Sequence, residues 1–397
     1  MSDPDPGPGP WLRACALVAA AGTLLAVISG AVGLGGAHRI VAALSAPPIV
    51  ALVIAARLQH RRLLPPTAAA AVLVAAAAAT PASGAHAVLA AVALAAVLVT
   101  VTATFRGDSG RPAAWRDYLV LVKPRIMSLL LVTGFCGMIV GAGGWPGTET
   151  AVAAMTGLAL ACGGASALNH VLDRDIDPLM GPRTSARPVA SGRVAPARAL
   201  EFGLALSAFS FVLLASAVNV LTATLALVGN LFYVLVYTRW LKRATPLNIV
   251  IGGAAGAVPP LVGWAAATGN LSLPALWLFL IVFLWTPPHF WSLALLLRER
   301  YAAARIPMLP VVRGETETIR RIVLYSVALV AATAAPFATG TLGVEYLVAA
   351  LGLGGGFLYL ALRLRGNPTR RRALLLFHYS LLYLAALFAA AALTAGL

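Results

Sequence analysis

Apolar segments long enough to cross a lipid bilayer follow one another along this chain, with polar connections between them. A bilayer-spanning helix needs about 17–25 mostly apolar residues, and its backbone hydrogen bonds must all be made within the protein. Thirteen segments meet the length requirement, near 14–33, 39–57, 66–82, 86–105, 126–144, 150–171, 199–219, 221–238, 248–268, 273–297, 322–341, 344–362 and 374–394. The sequence therefore predicts an all-α, polytopic transmembrane helical bundle.

The basic residues predict the direction of these helices. With the N-terminus inside, all but one of the 29 Lys and Arg residues fall on the inside, and only Arg39 lies outside. This is the positive-inside pattern, which sets membrane orientation. Topology and lipid head groups thus account for the net charge of +16, so we predict contact with membrane lipid and no nucleic-acid partner. We expect an integral plasma-membrane protein with a cytoplasmic N-terminus and its site loops on the cytoplasmic side.

Changes in composition divide the chain into four regions. A Pro- and Gly-rich tail over 1–10 is predicted to be disordered, and an Ala- and Val-rich block over 11–105 contains four spans. A basic linker over 106–117 precedes nine further spans over 118–397. Hydrophobic residues make up 60% of the chain and the mean hydropathy is +0.89, which excludes a water-soluble globular protein.

Three polar residues at four-residue spacing end the sixth predicted span. Asn169, Asp173 and Asp177 would fall on one face of a helix, because residues four apart are neighbours on a helix surface. Pro178 disfavours helical geometry at Asp177, so we expect the helix to end there, with Asp175 pointing elsewhere. Carboxylate and amide oxygens at a membrane edge suit Mg²⁺ that bridges to a substrate diphosphate. The alternative is a solvated loop with incidental acids.

Basic residues near this motif are candidates for binding a diphosphate. Arg183 and Arg187 follow the motif, and a guanidinium can hold phosphate oxygens through two parallel hydrogen bonds. Lys123 and Arg125 precede the fifth span, and two interpretations of them stand. Cations at a membrane edge usually anchor a helix by reaching toward the head groups, and on sequence alone this interpretation is favoured over contact with a diphosphate.

A histidine lies inside the tenth predicted span, in the sequence TPPHFW. An intramembrane ionisable residue indicates a functional site, although His289 can equally be a packing residue whose hydrogen bonds are satisfied. Trp285 and Trp291 flank it and could face a carbocation or a large flat ring. Upstream, the glycine-rich run 252–256 is predicted to pack against a neighbouring helix, and the prolines at 259–260 to kink their helix and open room for a ligand.

These motifs occur together, in the same order, in a known family. Over about 118–397 the chain resembles the UbiA-type intramembrane prenyltransferases, and within them the branch that farnesylates protohaem IX. The blocks that carry the resemblance are YLVLVKPRIMSLLLVTG, ALNHVLDRDIDPLM with RT and RPVASGRV, YTRWLKRATPLNIVIGGAAGAVPPLVGW, LWTPPHFWSLAL and ARIPMLPVV. The Asn-x3-Asp-x3-Asp motif indicates only the superfamily, whereas TPLNIVIGGAAGA, PPHFW and IPMLPVV indicate the haem branch. The resemblance implies a nine-helix core, here with about four additional N-terminal transmembrane helices.

The resemblance also implies a reaction and roles for individual residues. The implied reaction is Mg²⁺-dependent transfer of a farnesyl group from farnesyl diphosphate to a vinyl group of haem b, giving haem O. Asn169, Asp173 and Asp177 would hold the Mg²⁺-diphosphate, and His289 would lie at the haem or prenyl pocket. The implied diphosphate contacts are Lys123, Arg125, Arg183, Arg187, Lys242 and Arg243. The alternatives are prenylation of a quinone precursor and a haem-binding membrane protein without catalysis.

One inside loop departs from the family pattern. Family members commonly carry an Asp-Tyr pair before the IPMLPVV block, where this chain has Arg300-Tyr301 preceded by Glu299. Three explanations are open. Glu299 substitutes as a metal ligand beside Asp173 and Asp177, a second metal is held weakly, or Arg300 supplies the charge of a metal directly.

The four N-terminal spans fall outside the usual core of the family. His38 and Arg39 open the second span and His86 opens the fourth, so both histidines would lie at a similar depth on the outside face. This region weakly resembles one four-helix half of haem A synthase, in which paired histidines ligate haem. The resemblance of the core makes haem A synthase a candidate downstream partner. The alternative is a pair of interfacial histidines in a degenerate or merely stabilising bundle.

Overall fold

The computed structural model describes residues 114–395 without a break, the helix Leu64–Ala79, and single residues between positions 15 and 97. The helix Leu64–Ala79 overlaps the predicted span 66–82. The other predictions for the N-terminal region concern residues that, apart from a few isolated positions, lie outside the described part of the chain. They therefore stay predictions. They concern the spans near 14–33, 39–57 and 86–105, most of the linker 106–117, and the residues His38, Arg39 and His86.

Nine helices in the described part of the chain are long and apolar enough to cross a membrane. They are α1 (Pro124–Ala142), α2 (Thr148–Leu172), α3 (Pro196–Ala217), α4 (Val220–Ala244), α5 (Asn248–Thr268), α6 (Leu273–Leu296), α7 (Gly314–Ala338), α8 (Val344–Gly366) and α9 (Arg370–Thr394). The described residues contain no strand. The predicted all-α membrane bundle with a nine-helix core is therefore confirmed.

Two helices extend beyond the boundaries that hydropathy predicts. α7 begins at Gly314 rather than near 322, because its first turns are polar and leave the apolar layer. Within those turns, Arg321 donates to the Glu317 carboxylate over 2.7 Å, the i, i+4 pairing that supports a helix in water. α4 continues to Ala244 through a π-helical stretch, Phe232–Leu241, and such stretches are frequent at functional sites.

The nine helices close into a ring. Each helix packs against the next one along the chain, and α9 returns to pack against α1. Helices that are not consecutive also pack together, and the most extensive of these contacts join α1 to α5 and α6 to α9. The contact between α1 and α5 lies at the centre of the bundle and determines where space is left for a ligand.

Close contact between α1 and α5 fills the outer half of the bundle. Gly134 and Gly137 of α1 face Pro259 and Pro260 of α5, and a methyl group on Gly137 would lie 2.7 Å from the Pro260 carbonyl oxygen. On α5, a methyl group on Gly263 would overlap the Gly134 carbonyl oxygen. Small residues of this kind let helix backbones approach each other in a membrane. Among the described residues, a cavity lies toward the inner halves of these two helices.

The loop after α2 is tied to a short helix, Trp115–Leu121, that precedes α1. Arg193 donates to the Asp117 carboxylate over 2.8 Å and to the Ala186 carbonyl oxygen over 2.9 Å. These hydrogen bonds join the end of the loop to the start of the core. They hold the loop over the inner end of the bundle, where the polar motif of α2 lies.

Candidate active site

A cavity of about 510 Å³ lies between the inner halves of the helices, within the size range typical of small-molecule sites. Residues of α1, α2, α4, α5, α6 and α9 line it. One part, which we call the polar lobe, is formed by Lys123, Asn169, Asp173, Arg187 and Lys242. The other part, which we call the aromatic lobe, is formed by Trp285, His289, Phe290 and Phe377. α5 borders both lobes.

Asn169 organises the polar lobe from the last turn of α2. Its amide nitrogen donates to Asp173 Oδ2 over 2.9 Å and to the Thr238 hydroxyl over 3.1 Å. Its amide oxygen accepts a hydrogen bond from Lys123 Nζ over 2.7 Å. These three hydrogen bonds fix the orientation of the Asn169 side chain. They connect α2 and α4 with Lys123, which precedes α1.

The helix that carries the motif ends earlier than expected. α2 ends at Leu172, so Asp177 belongs to a separate 3₁₀ helix, Asp177–Met180, rather than to the end of α2. The helical spacing survives this break, because the Asp173 amide donates to the Asn169 carbonyl oxygen and the Asp177 amide to the Asp173 carbonyl oxygen, each over 2.9 Å. Asp173 and Asp177 are only 1% and 2% exposed, so the motif is not a solvated loop of incidental acids.

Each buried carboxylate has one paired and one unpaired oxygen. Asp173 Oδ2 accepts from Lys242 Nζ over 2.7 Å, and Asp177 Oδ1 accepts from the Arg187 guanidinium over 2.6 Å. Asp173 Oδ1 and Asp177 Oδ2 are buried and have no partner among the described residues. Burial raises the pKa of Asp177 above its ordinary value, and the Arg187 guanidinium opposes that shift. Unpaired buried oxygens of this kind call for a further cation.

Lys123 adopts an unusual backbone conformation. Its φ of 50° and ψ of 63° place it in the left-handed region, which is costly for a residue with a Cβ atom. This turn directs Lys123 into the polar lobe just before α1 begins. Burial, followed by repulsion from Arg187, lowers the pKa of Lys123 to about 7. Strain and a lowered pKa at one residue are typical of a ligand-binding position.

The polar lobe has more cations than anions. Three basic side chains, Lys123, Arg187 and Lys242, line the lobe together with Asp173, while Asp177 pairs with Arg187 from outside the lining. An additional cation on the carboxylates would release Arg187 and Lys242 toward a bound anion, and Lys123, which donates to Asn169, lies in the same lobe. A multiply charged anion accompanied by a divalent cation satisfies both requirements, and a magnesium diphosphate is such a ligand.

Two arginines expected at the diphosphate lie elsewhere. Arg243 forms two hydrogen bonds with the Asp175 carboxylate, over 2.6 and 2.7 Å, and a third with the Leu172 carbonyl oxygen over 2.7 Å. The hydrogen bond from Arg243 lowers the pKa of Asp175 to about 2. Asp175 points away from the cavity as expected. Arg183 is exposed, and neither arginine lines the cavity. Arg125 is exposed but does line the cavity.

The structure does not bring Glu299 to the carboxylates. Glu299 is exposed and does not line the cavity, because it lies in the first turn of a short helix, Arg298–Ala303, beyond the end of α6. The neighbouring Arg300 guanidinium packs against Gly181 instead, in the turn after Asp177–Met180. The expectation that Glu299 ligates a metal therefore finds no support in this placement.

His289 is held on three sides in the aromatic lobe. Its ring stacks on Trp285, with 4.3 Å between centroids, and on Phe377, with 4.8 Å. The Ser380 hydroxyl lies 2.6 Å from His289 Nδ1 and donates to the Phe377 carbonyl oxygen over 2.6 Å. With the hydroxyl proton on the Phe377 carbonyl oxygen, the matching tautomer of His289 is the one in which Nδ1–H donates to the hydroxyl. The neutral ring then keeps a free electron pair on Nε2.

The sequence did not indicate some residues of the site. Thr238 holds Asn169, and Ser380 holds His289 and also accepts from Trp285 Nε1 through its carbonyl oxygen over 2.8 Å. Thr238 lies in the block YTRWLKR, which marks it as part of a motif without assigning it a role. Ser380 is 91 positions from His289, and no local pattern indicates a pair so distant.

Comparison with known sequences identifies similar proteins. Residues 130–394 match the model of the UbiA prenyltransferase family. The chain is 53% identical over 277 residues to a protoheme IX farnesyltransferase of Symbiobacterium thermophilum, covering 69% of this chain and 92% of that protein. It is 51% identical over 290 residues to a protoheme IX farnesyltransferase of Thermus thermophilus, covering 73% of this chain and 47% of that protein. The chain thus spans about half the length of the Thermus relative.

Two solved structures share the fold. One comes from a study of digeranylgeranylglyceryl phosphate synthase in membranes, with a TM-score of 0.60 and 18% identity, covering 71% of this chain and 98% of that one. The other is a UbiA homologue from Archaeoglobus fulgidus bound to DMAPP and Mg²⁺, with a TM-score of 0.51 and 19% identity, covering 69% and 98%. At these identities the similarity establishes the helical architecture.

Proposed function

The chain belongs to the UbiA prenyltransferase family, and from this premise we propose that it transfers a farnesyl group from farnesyl diphosphate to a vinyl group of haem b, giving haem O. The observation that carries the proposal is the pairing, in one cavity, of a cation-rich polar lobe with a histidine-containing aromatic lobe. The polar lobe suits a diphosphate, and the aromatic lobe suits a large flat acceptor. The names of the relatives support haem as that acceptor.

The polar lobe is the proposed site of the donor's diphosphate. Lys123, Arg187 and Lys242 would donate to its oxygens, and Arg125 would be a further contact at the edge of the cavity. Cations fixed where negative charge develops lower the barrier to breaking the C1–O bond of the donor. Four positive side chains in one apolar cavity therefore suit a leaving diphosphate.

The other two arginines would act through the protein rather than on the diphosphate. Arg243 ties the end of α2 to α4 through the Leu172 carbonyl oxygen and Asp175, so it would hold Asp173 in place. Arg183 would at most meet a diphosphate that extends beyond the cavity, since it is exposed in the loop. The direct contacts expected for these two arginines are not supported by their placement.

The ligand atoms present fit Mg²⁺. Asp173 Oδ1 and Asp177 Oδ2 are buried carboxyl oxygens without a partner among the described residues, and Mg²⁺ prefers carboxylate oxygens together with substrate phosphates. Asn169, Asp173 and Asp177 would hold the ion, and it would neutralise charge on the departing diphosphate. No group of three His, Cys, Asp or Glu side chains forms a metal site within the described residues, so phosphate oxygens would complete the coordination.

Three explanations were open for the inside loop that departs from the family pattern. The position of Arg300 favours the one in which Arg300 supplies the charge of a metal directly. Its guanidinium packs beside the loop that carries Asp177, whereas Glu299 faces solvent. A guanidinium there would add positive charge beside the Asp177 loop without a second metal, acting from the exposed rim because Arg300 does not line the cavity. Glu299 as a metal ligand would require the short helix Arg298–Ala303 to move.

Residues of the chain would act at each bond change. As the C1–O bond breaks, its electron pair leaves with the diphosphate, and the three cations of the polar lobe stabilise that charge. The vinyl group supplies the electron pair of the new carbon–carbon bond, and water adds to the cation that results. The rings of Tyr233 and Tyr237 line the cavity and can stabilise the allylic cation through their faces. His289 Nε2 would accept the proton that the water releases.

Replacing His289 by Ala should weaken haem binding about tenfold, an effect of about 1.4 kcal/mol that lies in the range for the loss of one aromatic stacking contact. Turnover should fall with it, while the affinity for farnesyl diphosphate stays unchanged. Haem titration followed by absorbance, with farnesyl diphosphate kinetics alongside, measures both. His378→Ala is the matched control, because His378 is exposed and does not line the cavity. Full turnover and haem affinity in His289→Ala would show that the ring only packs.

Two other functions make different predictions for the purified protein. A prenyltransferase of quinone precursors would consume farnesyl diphosphate with an aromatic acid and leave haem unchanged. A haem-binding protein without catalysis would bind haem and release no diphosphate. We expect diphosphate release only when haem, farnesyl diphosphate and Mg²⁺ are present together, measured by product mass and by phosphate assay. Diphosphate release with the aromatic acid alone would overturn the proposal.

The chain is an integral membrane protein, given the nine apolar helices among its described residues and its family. We propose the plasma membrane, with the N-terminus and the polar lobe on the cytoplasmic side, because the positive-inside pattern places the Arg-rich connections there. A haem A synthase acting on the product is a proposed partner. Haem binding by His38 and His86 likewise remains a proposal.

A further inference from the structure

Three glycines on neighbouring turns of α5 line the cavity: Gly252, Gly253 and Gly256. Glycine weakens a helix interior relative to alanine, so each position needs a reason. At two of these positions, close packing against a neighbouring helix explains the glycine. A methyl group on Gly252 would overlap the Tyr237 ring of α4, and one on Gly253 would lie 3.0 Å from the Thr286 side chain of α6.

Gly256 has no such reason. A methyl group placed on it would meet no described atom within 4 Å, although the residue is part of the cavity lining. The packing role expected for the whole run 252–256 therefore holds for Gly252 and Gly253 but not for Gly256. The open space beside Gly256 belongs to the cavity, where a ligand rather than the protein would occupy it.

A second observation also points to a ligand at this position. Proline lacks the amide hydrogen that normally bonds to the carbonyl oxygen four residues earlier. Pro259 and Pro260 follow Ala255 and Gly256 by four residues, so the carbonyl oxygens of Ala255 and Gly256 lose their usual helical partners. Both residues line the cavity, which also contains the unpaired and buried Asp173 Oδ1. The cavity lining thus includes two carbonyl oxygens that lack their usual helical donor and one unpaired carboxyl oxygen.

The position of Gly256 on the helix places it where the two lobes meet. Residues three and four apart lie on the same side of a helix. Gly252 faces α4, which contributes to the polar lobe, and Gly253 faces α6, which contributes to the aromatic lobe. Gly256 lies one turn farther along, between these two directions. A prenyl donor in the polar lobe and an acceptor in the aromatic lobe would approach each other at this point.

The two proposed substrates differ in how they would tolerate a side chain there. A prenyl chain is thin and flexible and can bend around an added group. A tetrapyrrole is broad and rigid, so an added side chain displaces the whole ring. We propose that Gly256 is a specificity-determining residue that lets a rigid planar acceptor lie against the backbone of α5, a role that rests on the proposed haem acceptor.

The series Gly256→Ala, Gly256→Val and Gly256→Leu tests this role. Haem affinity, measured by absorbance titration of the purified full chain, should fall stepwise with side-chain size and reach at least about a tenfold loss in Gly256→Leu. The KM for farnesyl diphosphate should change much less than haem affinity. Gly352→Leu is the matched control, because Gly352 is also a helical glycine with open space around it but lies exposed on α8, outside the cavity.

The outcomes separate this inference from the function on which it rests. Unchanged haem affinity in Gly256→Leu, with the unaltered chain active, overturns the role of Gly256 alone. A larger rise in the KM for farnesyl diphosphate than in the haem dissociation constant also overturns it, because the donor would then occupy the space. An unaltered chain that neither binds nor farnesylates haem overturns both. Thermal stability of each variant in detergent, equal to that of Gly352→Leu, shows that the effect arises in the cavity.

Discussion

Replacing Asp173 by Asn should reduce farnesyl transfer by roughly 10²–10³-fold, the range typical of removing one group that stabilises charge developing in a transition state. Asn keeps the size of the side chain but removes its negative charge. That charge pairs with Lys242 over 2.7 Å, and its second oxygen is the unpaired atom that fits Mg²⁺. The loss should appear in turnover and in the dependence on Mg²⁺ concentration, measured with farnesyl diphosphate and haem.

Asp175→Asn provides the matched control for this prediction. The same change occurs two residues away, at a carboxylate whose side chain is 57% exposed and which pairs with Arg243 outside the cavity. Its turnover should stay within a few-fold of the unaltered chain, because the new amide oxygen can still accept from Arg243, which also keeps its hydrogen bond to the Leu172 carbonyl oxygen. Haem binding should survive in both variants, because the aromatic lobe is untouched. Equal loss in the two variants would mean that Asp173 acts only through the shape of the loop.

Replacing Gly263 by Val should prevent stable packing of α5 against α1. Even the first carbon of a side chain at this position would overlap the Gly134 carbonyl oxygen, and a backbone atom cannot rotate out of the way. Overpacking a core by a methylene costs about 1–3 kcal/mol, and a clash with backbone should exceed that range. The expected result is a large loss of folded protein, measured by monodisperse yield in detergent and by thermal denaturation.

Gly352→Val controls for the general effect of a β-branched residue in a membrane helix. Gly352 has no described atom within 4 Å of an added methyl group, so its substitution should leave yield and denaturation temperature nearly unchanged. If Gly263→Val were as stable as Gly352→Val, the close contact between α1 and α5 would be wrong. The position of the cavity toward the inner half of the bundle would then lose its basis.

The presence of each core helix could be predicted from sequence, because it depends on a local run of apolar residues long enough to span a membrane. The nine apolar segments of the core appear as nine helices. The predicted boundaries differ from the observed ones at the helix ends, for example at Gly314, where a polar extension of α7 begins. Hydropathy cannot detect such an extension. The end of α2 at Leu172 was missed because Pro178 restricts only its immediate neighbour, while tertiary contacts of the loop decide the preceding turn.

The site could be predicted only in part, since side-chain partners depend on tertiary structure. The spacing of Asn169, Asp173 and Asp177 brought these residues together as expected. Spacing could not show that Arg243 would pair with Asp175 instead of entering the cavity. The same limit applies to Gly256, because a glycine that packs and a glycine that leaves room for a ligand are identical in sequence.

The most direct test of the account is the mass of the haem made in cells. The chain would be expressed in a bacterial host that lacks its own haem O synthase, and extracted haem would be analysed by mass spectrometry. The account predicts a new haem heavier than haem b by one farnesyl and one hydroxyl group, absent when Asp173→Asn is expressed at the same level. Haem b alone, with the unaltered protein folded in the membrane, would contradict the account.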